Sequence, residues 1–457
     1  MALLVCVGGT GQHVALAVSR LVNLGAIEDG IECCIVDADN RSKLAKRTKN
    51  AAGYVDHNFG IDHPLGDSAR GFLTPFDPEA AADGGSELTV RDLTLGQTPK
   101  PETANLFDAL FRPEDAEQNI HQGFYAKPKL GSTAFAAQSI KGDGLVSQIN
   151  AKIGNHDKVF ICGSFIGGTG AGVIPSLVQK LTRNSAVKWY GMFHLRWLDP
   201  TGGGNAAITG ADMDRNMRHG AEYFYQYVRE NMRASVLMGP PTSGTDNLIG
   251  PVSNPANGEN PSFYHVLASY ALHHFRTDAV EDYDGSVGVF NHDDANRDWL
   301  LEQEWHGQKS LVDRLQTAAY AAELLEESVS DNFQEILRGA YGAFGTKSKV
   351  PDGLRESIAD YADDMGVSGW TGGMKDEAGP ELFQPLRANL EHRRQSLEER
   401  LDYFRDVFGN FERPTVGEPR TELRDKWGEE HKVALPSSEG VDRVNHLADK
   451  LTKLLLN

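Results

Sequence analysis

Residues 163–172 read Gly163-Ser164-Phe165-Ile166-Gly167-Gly168-Thr169-Gly170-Ala171-Gly172, and Pro175 follows shortly after. Five of these ten residues are glycine. The apolar run Val159 to Cys162 stands before them, as in a strand covered on both faces. Behind them Leu177, Val178 and Leu181 recur at helical spacing. Glycine between a strand and a helix lets the backbone turn tightly and come close to a phosphate. The helix that follows aims its N–H groups and the positive end of its dipole at an anion. A Walker loop needs GxxxxGK[ST], and no Lys stands in the required place.

The chain opens on the same plan. Leu3 to Val7 is a continuous apolar run, Gly8-Gly9-Thr10-Gly11-Gln12-His13 is a glycine loop, and Val14, Val18 and Leu21 give a helix that Gly25 stops. Cys33 to Val36 reads as a second buried strand and ends at Asp37-Ala38-Asp39. Strand, helix and strand of these lengths predict an α/β fold with a parallel sheet, whose ligand chemistry lies at the carboxyl ends of its strands. Read alone, Gly9-x-Gly11 with Ala15 is half of a dinucleotide fingerprint, and Asp39 falls near the place of a ribose-binding acid. A dinucleotide fold, however, leaves the second glycine run unexplained.

Between the two runs the periodicity is weak. Residues 55 to 120 are rich in Gly, Pro and Asp and read as surface excursions, with a short helix at Ala104 to Phe111. Farther on, Lys188 to Leu198 predicts a strand, Asp212 to Arg233 a helix and Ser235 to Met238 a strand. Residues 239 to 261 are dense in Pro, Gly, Ser and Asn and predict a loop or seam. A helix is expected over Pro261 to Phe275, and from Asp298 onward the chain reads as mostly helical. In that part Leu390, Leu397 and Phe404 stand seven apart, and Val444, Leu447, Leu451 and Leu454 form an amphipathic row.

Composition narrows the function classes. With 45 Lys plus Arg against 64 Asp plus Glu, the 457-residue chain carries a formal charge of −19, which repels phosphate backbones and argues against general nucleic-acid binding. Cys6, Cys33, Cys34 and Cys162 lie in apolar runs without a CxxC pair, so neither a disulfide scaffold nor a thiolate zinc site is expected. No apolar stretch approaches the ~18 residues of a membrane span. The start has no basic segment of the kind that opens a signal peptide. A reducing cytoplasm is the expected compartment.

Taken together, the paired glycine runs resemble the tubulin/FtsZ superfamily, over roughly the first 240 residues. Gly167-Gly168-Thr169-Gly170-Ala171-Gly172 is similar to that family's GGGTG[ST]G signature, and Pro175 matches a proline that FtsZ carries just after it. Gly9-Thr10-Gly11 and the Asp37-x-Asp39 pair look closest to the divergent bacterial tubulin-like proteins. The resemblance implies GTP or GDP with Mg²⁺. It assigns phosphate contacts to Gly8, Gly9, Thr10, Gly11 and Gln12, and to the signature itself. Asp37 and Asp39 fall beside the phosphates, with Asp39 toward the metal, and Gly131, Ser132 and Thr133 fall on a third loop that senses the γ-phosphate. Asp199, Arg215 and Asn216 fall on the ribose and base, with Asn260 as a further base reader.

The family hydrolyses GTP between stacked subunits through an NxDxxD loop. The match here is Asn291-His292-Asp293-Asp294-Ala295-Asn296, in which Asn296 replaces the last acid. Asn orients a water but is a far weaker base than a carboxylate, so Asp294 or Asp298 is left to compensate. The expected organisation is a tubulin/FtsZ-like nucleotide-binding domain over residues 1–240, a seam with central helix and acidic loop over 241–300, and a mostly helical domain over 301–457. That last domain departs from the mixed sheet and helix of tubulin and FtsZ. Two readings follow: a filament-forming GTPase that self-associates, or a non-polymerising GTP-binding switch or scaffold that docks a partner protein through its helical part.

Overall fold

The computed structural model describes residues 2–38, 89–139, 145–182, 187–200, 209–239, 249–252, 263–277, 286–291, 299, 302–307, 310 and 311, apart from a few positions within these ranges. Its elements in chain order are β1 (Ala2–Val7), α1 (Gly8–Asn23), β2 (Ile31–Val36), α2 (Val90–Leu95), α3 (Pro101–Leu110), α4 (Pro113–Ala116), α5 (Pro128–Ser139) and α6 (Leu145–Ile153). Then follow β3 (Lys158–Ser164), α7 (Gly168–Leu181), β4 (Lys188–His194), β5 (Leu198–Pro200), α8 (Gly210–Tyr223), β6 (Ala234–Gly239), β7 (Ile249–Val252), α9 (Phe263–Thr277) and β8 (Ser286–Asn291). The chain divides into two compact units, Met1–His306 with Gly373–Pro380, and Gly307–Gly372 with Glu381–Asn457. Nearly all the described residues belong to the first. Asp39, Asn260, Asp293, Asp294, Asn296 and Asp298 lie outside the described residues, as do both apolar rows of residues 301–457.

Six strands form one parallel sheet in the order β2-β1-β3-β4-β6-β8, and β5 pairs with β7 apart from it. The α/β parallel sheet read from the sequence is therefore present. β1 lies in register between its neighbours, with Cys6 opposite Ile35 on one side and Cys162 on the other. Because helices cover both faces, the strands bury nearly every side chain, which is why they read as unbroken apolar runs rather than alternating ones. One face carries Leu3, Val5, Val7, Val159 and Ile161 against Val173, Leu177 and Val178 of α7. On the other face Phe160 stacks on Tyr190 at 5.0 Å, and Tyr190 stacks on Phe275 of α9 at 5.3 Å.

A row of thiols crosses that second face. Cys162 Sγ is 3.4 Å from Cys6 Sγ, and Cys6 Sγ is 3.7 Å from Cys33 Sγ, across three neighbouring strands. All four cysteines are free and buried. Burial raises the Cys6 and Cys34 thiols well above their ordinary value, so these two behave as inert hydrophobes.

Several expectations change. The described part of the Gly- and Pro-rich stretch holds α2, α3 and α4; α2 starts on a capping box from Thr89 to Asp92, and the other two start with Pro in their first turn. The strand expected over Lys188 to Leu198 is two pieces, β4 and β5. The helix expected to run on to Arg233 stops as an α-helix at Tyr223 and continues as a wider π turn over Phe224–Val228. The expected seam holds β7, and Ser286–Asn291, not anticipated as a strand, joins the main sheet beside β6. The expected central helix, α9, is thus the crossover between two strands of that sheet. No helix among the described residues is long and apolar enough to cross a membrane.

Candidate functional site

From β1 the chain runs through α1 to β2 on one side; from β3 it runs through α7 to β4 on the other. The strand order therefore reverses between β1 and β3. In open parallel sheets such a reversal leaves a crevice at the carboxyl edge, where ligands bind. Both glycine runs fall there.

Backbone contact explains most of their glycines. α1 begins at Gly8 itself, so the first run is a turn and helix start rather than a separate loop. Gly8 has φ +70°, the left-handed region that glycine favours, and a Cβ there would stand 3.2 Å from Gly170 N. The two turns thus touch. A Cβ on Gly163 would stand 2.6 Å from Val7 O of the next strand, and one on Gly168 would stand 2.5 Å from Phe124 Cβ. Gly167 differs. It is the N-cap of α7, with ordinary extended φ −78° and ψ 161°, and a Cβ there would meet only Ser164 Oγ at 3.7 Å. Gly9, Thr10, Gly167 and Ala171 are the partly exposed positions of the two turns, whereas Gly8, Gly168, Gly170 and Gly172 are buried. Phe165 anchors the second turn by stacking on Phe193 at 5.1 Å.

Asp37 ties the turns together from the end of β2. Its carboxylate accepts hydrogen bonds from Gln12 Nε2 of α1 at 2.6 Å, from Thr169 Oγ1 of α7 at 3.1 Å and from Ala38 N at 2.8 Å. Asp37, Gln12 and Thr169 are all buried. Asp37→Ala removes the acceptor from two buried donors and is expected to cost roughly 3 kcal/mol of unfolding free energy, measured by denaturant titration.

The other expected site residues are placed as follows. Gly131, Ser132 and Thr133 do not form a loop. They lie inside α5, whose start Pro128 favours, and both hydroxyls donate to the Lys129 carbonyl, at 3.0 and 2.8 Å. Gly131 belongs there because α5 crosses the first turn of α7 in backbone contact with Gly168. Arg215 is exposed and pairs with Asp212 on its own helix at 2.6 Å. Asn216 is a brace: its Nδ2 donates to Ala126 O at 2.8 Å and to Ile166 O at 3.2 Å. Asp199 lies in β5. Asn291 ends β8, on the same carboxyl edge as the two turns.

Sequence reasoning missed an aromatic cluster under the first turn. Trp197 Nε1 donates to Thr10 Oγ1 at 3.4 Å, and the Trp197 ring meets His265 edge-on at 4.6 Å. His265 stacks on His13 at 4.8 Å and lies 5.3 Å from His194. These residues come from α1, the end of β4, the segment behind it and α9, so no local spacing announces them. Among the described residues, no group of three His, Cys, Asp or Glu side chains is arranged to hold a metal ion.

No protein-family model matches the chain, and no curated protein matches it. The functional argument therefore rests on the geometry of the turns and on their chemistry.

The histidines predict a pH response. Burial pulls His194 down from its ordinary 6.5 to about 4, outweighing the Tyr264 and Gly163 carbonyls at its two ring nitrogens, which favour the charged form. Burial, followed by the neighbouring His13 and His194, holds His265 well below its ordinary value. Both rings are thus neutral in the folded chain, while the unfolded chain takes up protons first. Stability is then flat above the ordinary value and is lost as pH falls from there toward the folded one. The expected loss from His194 alone is on the order of 3 kcal/mol by pH 4. Denaturant midpoints at neutral and acid pH measure it, and His194→Gln should flatten the slope.

Proposed function

We propose that this chain is a tubulin-like protein that binds GTP or GDP with Mg²⁺, the phosphates resting between the first turns of α1 and α7. The observation that carries the reading is the contact of Gly8 with Gly170 at the reversal of strand order. It gathers two helix N-termini and two stretches of bare backbone on one crevice. Such a site neutralises a polyphosphate with N–H groups and dipoles and needs no lysine. Gly9, Thr10, Gly167 and Ala171 form its accessible floor. Asp37 orders the floor from below, which leaves Asp39, by resemblance, as the carboxylate for the metal. Asn216 braces the second turn through Ile166 O, and Arg215 stands one residue before it on α8.

The placement of Asn291 favours the non-polymerising reading. In a head-to-tail stack, the edge that holds the nucleotide faces the opposite edge of the next subunit, so a group lent to a neighbour's site belongs on that opposite edge. Asn291 leads into the acidic stretch from the same edge as the glycine turns. A switch or scaffold that docks a protein partner through residues 301–457 fits this placement better than hydrolysis between stacked subunits.

Equilibrium titration of the full chain with fluorescent GTP and Mg²⁺ tests the proposal. Saturable binding competed by GDP supports it; no binding at millimolar nucleotide overturns it. Sedimentation in the same buffer separates the two readings, because nucleotide-dependent large assemblies would restore the filament.

A further inference from the structure

The segment just before α5 holds a conformation that its residues disfavour. Tyr125 has φ 37° and Ala126 has φ 53°, and Lys127 N donates to Phe124 O at 2.8 Å across them. This is a two-residue left-handed turn with side chains where Gly or Asn is normally needed. Gly123, with φ 76°, leads into it.

The turn is fastened to the proposed nucleotide site. Phe124, which is buried, lies on the bare backbone of Gly168. Asn216 bridges the Ala126 carbonyl to Ile166 O in the second glycine turn. Gln118 Nε2 donates to Gly123 O at 3.1 Å, and Lys127 pairs with Asp115 at 2.6 Å. Strain that the surroundings over-determine in this way is typical of ligand-contacting segments. What it holds in place is an aromatic ring open to solvent, with Tyr125 38% exposed. The other aromatics tied to the turns, Phe124, Phe165 and Trp197, are all buried.

We propose that Tyr125 stacks on the base of the nucleotide whose phosphates rest on the glycine turns. This rests on the nucleotide reading given above and adds the residue that tells a nucleoside triphosphate from bare polyphosphate. Stacking uses a π-face that every base has, so the contact adds affinity without selecting guanine over adenine.

The test titrates the full-length chain and its variants with GTP and with inorganic triphosphate, each with Mg²⁺. Tyr125→Ala should lose GTP affinity by roughly tenfold, the loss that removing one base-stacking ring produces. Its affinity for inorganic triphosphate should be unchanged, and Tyr125→Phe should bind GTP as the parent does. Tyr125→Gly should also raise the melting temperature of the unliganded chain while weakening GTP, since glycine relieves the left-handed turn. Unchanged GTP affinity in Tyr125→Ala, or equal losses for both ligands, overturns the role of Tyr125 and leaves the glycine-turn site standing. Failure of the parent to bind either ligand overturns the site itself.

Discussion

Gly167→Asp should fold as well as the parent and lose GTP affinity by about a hundredfold or more, because a like charge set against the phosphates costs several kcal/mol. The position is the one glycine of the second run whose backbone suits any residue and whose Cβ has room. It is also the N-cap of α7, where a carboxylate accepts hydrogen bonds from the helix N–H groups, worth about a few tenths of a kcal/mol over glycine, and favours the helix dipole by about 0.3–1 kcal/mol. The same carboxylate sits where a phosphate would rest. The signature is therefore a melting temperature that holds or rises while binding disappears, read by thermal denaturation and by nucleotide titration on one preparation. If Gly167→Asp binds GTP as the parent does, the crevice between α1 and α7 is not the phosphate seat. A larger change at Gly168 would not separate these effects, because Phe124 occupies the space that its side chain needs.

Gly172→Ala should have the largest effect on stability, about 3 kcal/mol or more. Its added methyl would stand inside van der Waals contact of Pro128 O and only 2.8 Å from Ser132 N, both backbone atoms of α5 that cannot rotate away. Gly131 makes the reciprocal contact with Gly168 O at the same crossing. A control separates this from the general effect of removing a glycine. Gly154→Ala, after α6, would meet only Ala151 O at 3.8 Å and should stabilise by up to about 1 kcal/mol through the unfolded chain. Urea titration of both variants measures the contrast. A loss at Gly172 no larger than at an exposed helix glycine would mean that α5 and α7 do not cross on bare backbone.

The sheet could be read from the sequence because its evidence is local. Leu3–Val7, Cys33–Val36 and Val159–Cys162 are unbroken apolar runs, and a strand buried on both faces has no other way to appear. β8 carries the same information in weaker form: Ser286-Val287-Gly288-Val289-Phe290-Asn291 is short and interrupted by glycine, and it lies among residues that read as loop. The glycine runs were found for the chemistry they permit, yet Gly163, Gly168, Gly170 and Gly172 are also fixed by the approach of neighbouring backbone. A glycine motif reports closeness and does not say whether a phosphate or a helix comes close. The Arg215–Asp212 pair is three residues apart on one helix, a spacing that allows an ion pair without announcing one. The Trp197, His13, His194 and His265 cluster is assembled only by the crossing of α1, β4 and α9, and so it belongs to topology rather than to any motif.

The thiol row on β2, β1 and β3 gives the sheet a built-in clock. Every cysteine of the chain is shut inside it. A thiol reagent added to the native protein must therefore wait for the strands to part, and its labelling rate should follow the concentration of denaturant as global opening does. A bound nucleotide that clamps the ends of β1 and β3 would slow that clock, so the extent of alkylation over time reads ligand occupancy with no label on the ligand.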